Sequence, residues 1–234
     1  MSPILFSANL IGVMIKILLI FVFISSSGLG ADSNLSKFII AERLENQIHF
    51  KIKYSLGTHE GVAKKIQSEL QFDFLSPNKS KGFLAVPLSA LATGSEGRDC
   101  HMREALGINY ELSDYPKEHV CDDKNELLTS GKNAVVYPEI RFELKSLKIN
   151  SWPIKDSTDA EIEGEWKIHG QVQPANIKVK MSQDKGVYRI QGSYIFNLTD
   201  FKVEVKSAKI LIATIKTSNE VLADFDIFYL KGSP

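Results

Sequence analysis

The residues best suited to chemistry in this 234-residue chain lie close together, between positions 98 and 101. Arg98 and Asp99 are adjacent, and His101 follows two residues later. A planar guanidinium pairs with a carboxylate through two parallel hydrogen bonds, and an imidazole can take the remaining carboxylate oxygen. The sequence therefore predicts a charge-assisted network of Arg98, Asp99 and His101. Such a network either fixes a loop after a strand at residues 83–86 and caps a short helix, or contacts the polar end of a ligand.

A metal site is an alternative use of the same segment. Cys100 and His101 are adjacent, and His119 and Cys121 are separated by one residue. Adjacent residues rarely ligate one ion, and this spacing differs from the Cys-x₂₋₄-Cys pairs of zinc sites. We therefore predict no metal and no other cofactor.

Nucleophilic catalysis finds equally little support in the sequence. The run Gly94-Ser95-Glu96-Gly97 misses the G-x-S-x-G spacing of a nucleophile elbow. Asp99 beside His101 would orient a base, yet no nucleophile accompanies the pair. We predict that the protein is not an enzyme, and an enzyme or metal protein built on Asp99, His101 and the cysteines is the weakest alternative.

The amino-terminal segment has the features of an export signal. Residues 17–24 are an unbroken apolar run, and small residues follow it up to Gly30. We predict a signal peptide over residues 1–30, with Met14 as an alternative initiator because Lys16 then lies near the start. The wider apolar run from Leu10 to Ile24 contains Gly12 and Lys16 and is shorter than the roughly 18–20 residues that span a bilayer. The mature protein is thus expected to be periplasmic or secreted, without a stable membrane span; an uncleaved anchor is the alternative.

Cys100 and Cys121 both follow the predicted signal peptide. An even number of cysteines in an oxidising compartment indicates a disulfide. Closing a loop of about 20 residues stabilises a fold by roughly 3 kcal/mol in the chain-entropy model. We predict a Cys100–Cys121 disulfide.

The charge balance excludes one class of partner. The chain has 28 basic and 28 acidic residues, so its net charge is zero. Nucleic-acid binding needs an excess of positive charge to neutralise phosphates. Residues 31–234 are enough for one domain with a sizeable core, and we predict a single domain there.

Apolar and polar residues alternate along most of this domain, as in strands with one buried face. The clearest example is Ile48, Phe50, Ile52 and Tyr54. The same pattern or a β-rich composition recurs at residues 140–144, 162–168, 177–181, 187–196, 210–215 and 221–230. Turn residues separate the runs, which favours an antiparallel sheet closed on itself, although a β-sandwich has nearly the same pattern. One short helix is predicted at residues 102–106 and a long loop at residues 107–133.

Three motifs resemble the YceI-like family of secreted, lipocalin-like proteins that bind polyisoprenoids or related lipids. The first is Thr93-Gly94, three residues, Arg98-Asp99, one residue and His101. The second is Tyr137-Pro138-x-Ile140-x-Phe142, which opens a strand. The third is the hairpin-like run Gly164-Glu165-Trp166-Lys167-Ile168-His169-Gly170. In the first motif both the residue types and the spacing match the family, and the three motifs occur in the family's order.

The chain also departs from the family at several positions. The span from His101 to Tyr137 is about twenty residues longer than usual in the family, and Cys121 lies within it. Ala63 and Ser68 stand where a phenylalanine and a glycine are usual. The segment at residues 198–202 resembles an Arg-Ser-Asp-Phe-Gly motif but lacks its arginine and its final glycine.

The resemblance implies a mainly β fold, a lipocalin-like antiparallel eight-stranded barrel with one short helix and a long inserted loop. It implies that a long-chain isoprenoid or quinone-like lipid lies inside the barrel, where it is sequestered or carried. Candidate ligand-binding residues, chosen by alternation, are Phe50, Phe72, Phe142, Trp166 and Phe196. Arg98, Asp99 and His101 would form a polar cluster at the barrel mouth. The alternative is a barrel with a filled interior that serves as a secreted interaction or stress-response protein.

Overall fold

The computed structural model describes residues 35–113, 115, 128–205, 208–210 and 213–232. These residues belong to one compact unit, Asn34–Pro234. The predicted signal peptide, residues 1–30, and the predicted disulfide partner Cys121 lie outside the described residues. Both therefore stay predictions. No helix in the described part of the chain is long and apolar enough to cross a bilayer.

Strands dominate the described residues, as the alternation predicted. In chain order they are β1 (Leu35–Ile40), β2 (Gln47–Tyr54), β3 (Gly57–Ala63), β4 (Gln67–Asp73), β5 (Lys81–Pro87), β6 (Leu91–Ala92), β7 (Glu139–Ile149), β8 (Ser157–Ile168), β9 (Gln171–Asp184), β10 (Val187–Asn197), β11 (Ala208–Ile210), β12 (Ala213–Ile215) and β13 (Thr217–Lys231). The described helices are α1 (Glu96–Gly107) and three short 3₁₀ helices at Pro77–Lys79, Leu88–Ala90 and Leu198–Phe201.

Eight strands close into an antiparallel ring. Their order is β1, β4, β5, β7, β8, β9, β10 and β13, and β13 pairs back with β1. The first part of β13 pairs instead with β2, which continues the sheet through β3 to β6. β1 pairs with the last residues of β13, and β2 pairs with earlier ones, so both strands lie along the same edge of β13. The predicted mainly β barrel with one helix is confirmed.

The alternation within each strand separates the interior from the outer surface. In β9, Ile177, Val179 and Met181 are buried, whereas Lys178 and Lys180 between them are exposed. Successive side chains of a strand point to opposite faces of the sheet, so one face of every strand lines the barrel interior. The prediction of inward and outward faces therefore follows directly from the residue order.

One end of the barrel is closed by aromatic side chains, and we call it the aromatic end. The β4–β5 and β7–β8 connections meet there. The ring centroid of Phe72 lies 5.0 Å from those of Phe74 and Trp152 and 6.2 Å from that of Phe38. Trp152 also donates a 2.9 Å hydrogen bond from Nε1 to the carbonyl oxygen of Phe74. These contacts fill the barrel at this level, and the Tyr188 ring, 5.2 Å from Phe38, completes the cluster.

Helix α1 lies at the opposite end, which we call the helix end. The helix begins at Glu96, six residues before the predicted start at Met102. Acidic residues in its first turn, Glu96 and Asp99, favour the positive end of the helix dipole. Ile108, within the predicted long loop, instead forms an isolated antiparallel bridge with Val135. Thirteen of the 27 residues of that loop, 114 and 116–127, lie outside the described residues.

Candidate ligand-binding site

A cavity of about 850 Å³ occupies the barrel interior between the two ends. This volume lies within the roughly 300–1,000 Å³ range of small-molecule sites, and an eight-stranded barrel is wide enough for one such ligand. Most of the lining is apolar, with contributions from Leu70, Ile140, Ile162, Ile177, Ile190 and Ile227. The interior is therefore open, unlike the filled barrel of the alternative hypothesis.

Four of the five aromatic residues selected by alternation line this cavity: Phe50, Phe142, Trp166 and Phe196. Trp166 joins them, with its ring centroid 4.8 Å from that of Phe142 and 4.7 Å from that of Phe196. Phe72 does not line the cavity and instead belongs to the aromatic end. Its side chain points inward as predicted, but alternation gives the face of a residue and not its height along the barrel axis. We leave Phe72 out of the ligand-binding set.

Glycines in neighbouring strands give the phenylalanine rings room beside the wall. A Cβ atom on Gly61, Gly164 or Gly192 would overlap the ring of Phe50, Phe142 or Phe225, respectively. Each ring thus covers a wall position that has no side chain. Large aromatic residues then line the barrel while its centre stays open.

A pair of hydroxyl groups is the polar feature of the cavity nearer the aromatic end. The Ser68 and Tyr229 hydroxyl oxygens are 2.7 Å apart, and Ser68 donates to the carbonyl oxygen of Phe83. Because Ser68 uses its proton for Phe83, Tyr229 donates to Ser68. Burial raises the pKa of Tyr229 to about 12, so the pair carries no charge at neutral pH. The unusual Ser68 therefore has a structural partner in this chain.

At the helix end, Asp99 does not pair with Arg98 as the sequence predicted. Its Oδ1 atom instead accepts hydrogen bonds from the backbone N–H of Thr93, at 2.7 Å, and from the Thr93 hydroxyl. The reason is helix geometry, since successive residues of α1 point about 100° apart and do not face each other. Asp99, only 7% exposed, ties the start of the helix to the segment after β6.

Arg98 lies on the face of α1 that lines the cavity. Residues 98, 101, 102 and 105 recur at the i, i+3, i+4 and i+7 spacing of one helix face, and all four line the cavity. The Arg98 Nε atom donates to the Thr93 hydroxyl at 2.9 Å, and Nη1 lies 2.7 Å from the His59 Nδ1 atom. The predicted network is therefore split: Asp99 fixes the helix start, and Arg98 lines the cavity.

His101 also lines the cavity but bonds with a different carboxylate. Its Nδ1 atom lies 3.0 Å from Glu104 Oε2, and Glu104 is 4% exposed. No three His, Cys, Asp or Glu side chains in the described part of the chain converge to hold a metal ion. Cys100 is buried, and His119 and Cys121, which the metal alternative would require, lie outside the described residues.

His59 is a cavity-lining residue that the sequence analysis missed. A guanidinium only donates hydrogen bonds, so the His59 Nδ1 atom accepts from Arg98 and the ring proton is on Nε2. Burial, and next the charge of Arg98, lower the pKa of His59 and keep it neutral at pH 7. Its ring stacks on that of Tyr54 at 4.1 Å. The alternation of β3 places His59 on the same face as Gly61 and Ala63, and this signal was available in the sequence.

Tyrosines and a histidine pack around the other side of α1. The ring centroid of His169, in the β8–β9 turn, lies 4.3 Å from that of Tyr110, and its Nδ1 atom donates to the carbonyl oxygen of Leu106. The Tyr110 hydroxyl donates to the carbonyl oxygen of Ala105. The Tyr115 hydroxyl donates to the Glu204 carbonyl oxygen at 3.2 Å. These contacts hold the carboxyl end of α1 against the barrel.

Comparison with known proteins agrees with this architecture. Residues 123–228 match the model of the YceI-like domain. Over these residues the chain is similar to YceI-like domains. The match includes the Tyr137-Pro138 strand and the Gly164–Gly170 hairpin, whereas the Thr93–His101 motif precedes it. No curated protein matches the chain in sequence.

Solved structures show the same fold as this chain. A polyisoprenoid binding domain from Saccharophagus degradans has a TM-score of 0.56 at 12% identity, covering 85% of this chain and 99% of that domain. BcnA from Burkholderia cenocepacia has a TM-score of 0.53 at 13% identity, covering 78% of this chain and 95% of that protein. At such low identity, these similarities define the fold and not the ligand.

Proposed function

We propose that the protein is an exported carrier or store of a long-chain apolar lipid, of the polyisoprenoid or quinone-like class. The observation that carries this proposal is the 850 Å³ cavity with its apolar lining inside a closed barrel. Each CH₂ group moved from water into such a lining contributes about 0.8 kcal/mol to binding. A long chain therefore gains more from this site than a small polar molecule does.

Two further observations support the lipid class and the compartment. A solved structure with the same fold is described as a polyisoprenoid binding domain. The sequence supplies the apolar amino-terminal run at residues 17–24, which favours a periplasmic or secreted protein. Cleavage of the signal is tested by sequencing the amino terminus of the protein isolated from the cell envelope or medium, and an intact residue 1 or 14 would contradict export by cleavage.

The lipid proposal is tested by native mass spectrometry of the purified mature protein, followed by organic extraction. We expect an adduct that dissociates into an apolar lipid. Phe142→Glu places a charge in the cavity wall, and a buried unpaired charge is costly, so the adduct should disappear. An apo mass that stays unchanged after addition of a polyprenyl lipid would contradict the proposal.

Ile195→Glu is the matched control for Phe142→Glu. Ile195 is 60% exposed and lies next to the cavity residue Phe196 in β10. The control introduces the same charge on the outer face, so it should keep the adduct. Circular dichroism of both variants checks that the barrel has folded.

We also propose that Cys100 and Cys121 form a disulfide in the exported protein. Cys100 is 5% exposed and lies in α1. Reduction should raise the mass of the intact protein by about two units for one bond. An unchanged mass after complete reduction would rule out the pairing.

A further inference from the structure

Arg98 lines the cavity from helix α1 and, unlike the two strand arginines Arg141 and Arg189, has no carboxylate partner among the described residues. Arg141 forms an ion pair with Glu143, and Arg189 forms one with Asp226. Arg103 is outside the cavity lining and donates to carbonyl oxygens of Leu88 and Leu91. Within the described ranges, no carboxylate forms an ion pair with Arg98, and the groups that it contacts, Thr93 and His59, are neutral.

The hydrogen-bonding capacity of Arg98 is also incompletely used. A guanidinium has five N–H groups, and the contacts with Thr93 and His59 use Nε and one hydrogen of Nη1. Because Arg98 lines the cavity, its remaining N–H groups are placed to donate to a ligand there. His59 adds the N–H of its Nε2 atom on the same side of the cavity. The helix end therefore offers several hydrogen-bond donors and one positive charge to a ligand.

The position of the guanidinium is fixed before any ligand binds. Arg98 Nε donates to the Thr93 hydroxyl, and that hydroxyl donates to the buried carboxylate of Asp99. Nη1 is held by His59, whose ring is stacked on Tyr54. A donor held in this way loses little conformational entropy when it binds an anion. The pairing of planar guanidinium groups with carboxylate and phosphate oxygens is also geometrically favourable.

We propose that Arg98 binds the anionic head group, a phosphate or carboxylate, of an amphiphile whose apolar chain fills the cavity. This inference rests on the proposed lipid-binding function and adds the charge of the ligand to it. Glu204 lines the same end of the cavity and contributes a negative charge. The site therefore suits one anionic group beside Arg98 rather than a ligand with charges distributed around the whole opening.

The test compares two ligands that share an isoprenoid chain and differ in the head group. Farnesyl phosphate and farnesol are titrated into the mature protein and into Arg98→Gln, and affinities are measured by calorimetry. We expect the wild type to bind the phosphate about tenfold to hundredfold more tightly, the range for hydrogen bonds to a charged group. Arg98→Gln should bind farnesyl phosphate and farnesol with about equal affinity. Its affinity for farnesol should stay within about twofold of the wild-type value, because the apolar contacts remain.

Two variants control for charge and folding. Lys53→Gln removes one positive charge from an exposed position in β2 and should keep the preference for the phosphate. Arg98→Lys keeps the charge but loses the planar donor arrangement, so it should restore part of the preference. Farnesol binding in each variant shows that the cavity has formed.

Four outcomes would overturn the inference. Equal affinity of the wild type for the two ligands, or a preference that survives in Arg98→Gln, contradicts the role of Arg98 and leaves lipid binding intact. Competition by inorganic phosphate at the same concentration as farnesyl phosphate would show an anion site that does not need the chain. Failure of the wild type to bind either farnesyl ligand contradicts both the inference and the proposed function.

Discussion

The two ends of the barrel use aromatic and polar residues in opposite ways. At the aromatic end, Phe72, Phe74 and Trp152 pack against one another and fill the cross-section. At the helix end, α1 places Arg98 and His101 beside the cavity. The aromatic end thus gains stability from packing, whereas the helix end keeps polar groups near space that a ligand can occupy. The difference predicts that packing at the aromatic end contributes more to stability and that substitutions at the helix end affect ligand binding more.

The largest effect is expected from truncation at the aromatic end. Phe72 is 3% exposed, and Phe72→Ala should lower the free energy of unfolding by about 3–5 kcal/mol because it removes buried contacts and leaves a cavity. Leu75→Ala, at a position that is 75% exposed, should change it by less than about 0.5 kcal/mol. Urea unfolding measures both. A loss below about 1 kcal/mol in Phe72→Ala would mean that packing at this end does not maintain the fold.

At the helix end, the largest effect on stability should come from Asp99. Asp99→Ala removes the acceptor of two hydrogen bonds from Thr93 and should cost about 2–3 kcal/mol, as for buried hydrogen bonds to a charged group. Glu96→Gln changes an exposed acidic residue of the same turn and should cost less than about 1 kcal/mol. Urea unfolding compares the two. Equal losses would show that Asp99 acts only through the helix dipole.

A substitution at Gly192 tests whether the placement of aromatic rings in the barrel wall keeps the cavity open. In Gly192→Ala the new methyl group meets the Phe225 ring, so the ring must move toward the cavity. Overpacking of this kind costs about 1–3 kcal/mol, and the reduced space should weaken binding of a long lipid. Gly97→Ala, where a methyl group would have no neighbour within 4 Å, is the control and should leave binding unchanged. Unchanged lipid affinity in Gly192→Ala would contradict the role of ring placement in keeping the cavity open.

The smallest expected effect is a pH dependence that comes from the helix end. Burial lowers the pKa of His169 below its ordinary value of 6.5, so the unfolded chain binds a proton more readily than the folded one. The stabilisation by neutral His169 is complete above pH 6.5 and is lost as the pH falls through 6.5 toward the lower pKa of the folded state. His59, whose pKa is also lowered, contributes in the same direction.

His169→Asn isolates this contribution, because asparagine tolerates the positive φ of 50° at this turn position. Urea midpoints between pH 5 and pH 8 should fall less steeply on the acid side than in the wild type, with the remaining slope due partly to His59. His49→Asn replaces an exposed histidine and should leave the wild-type slope unchanged. If His169→Asn and the wild type have the same slope, burial of His169 does not link stability to pH.

Several features of this protein follow from the sequence by itself. Alternation in β2 and β9 assigns each residue to the interior or the outer face, because the backbone of a strand directs successive side chains to opposite sides. The inward position of Phe50, Phe142 and Trp166 was predictable for this reason. Alternation did not separate a barrel from a β-sandwich, and the eight-stranded barrel was implied by the family resemblance. The motifs at residues 93–101, 137–142 and 164–170 also carried the resemblance to the YceI-like family.

Tertiary structure alone decided the height of each residue and the partner of each polar group. Phe72 and Phe142 both point inward, but strand register places Phe72 in the aromatic end and Phe142 in the cavity wall. Arg98 and His59 are 39 residues apart in sequence and meet only because β3 and α1 lie at the same end of the barrel. Local rules specify the direction of a side chain, whereas its neighbours depend on how distant strands align and where the helix packs.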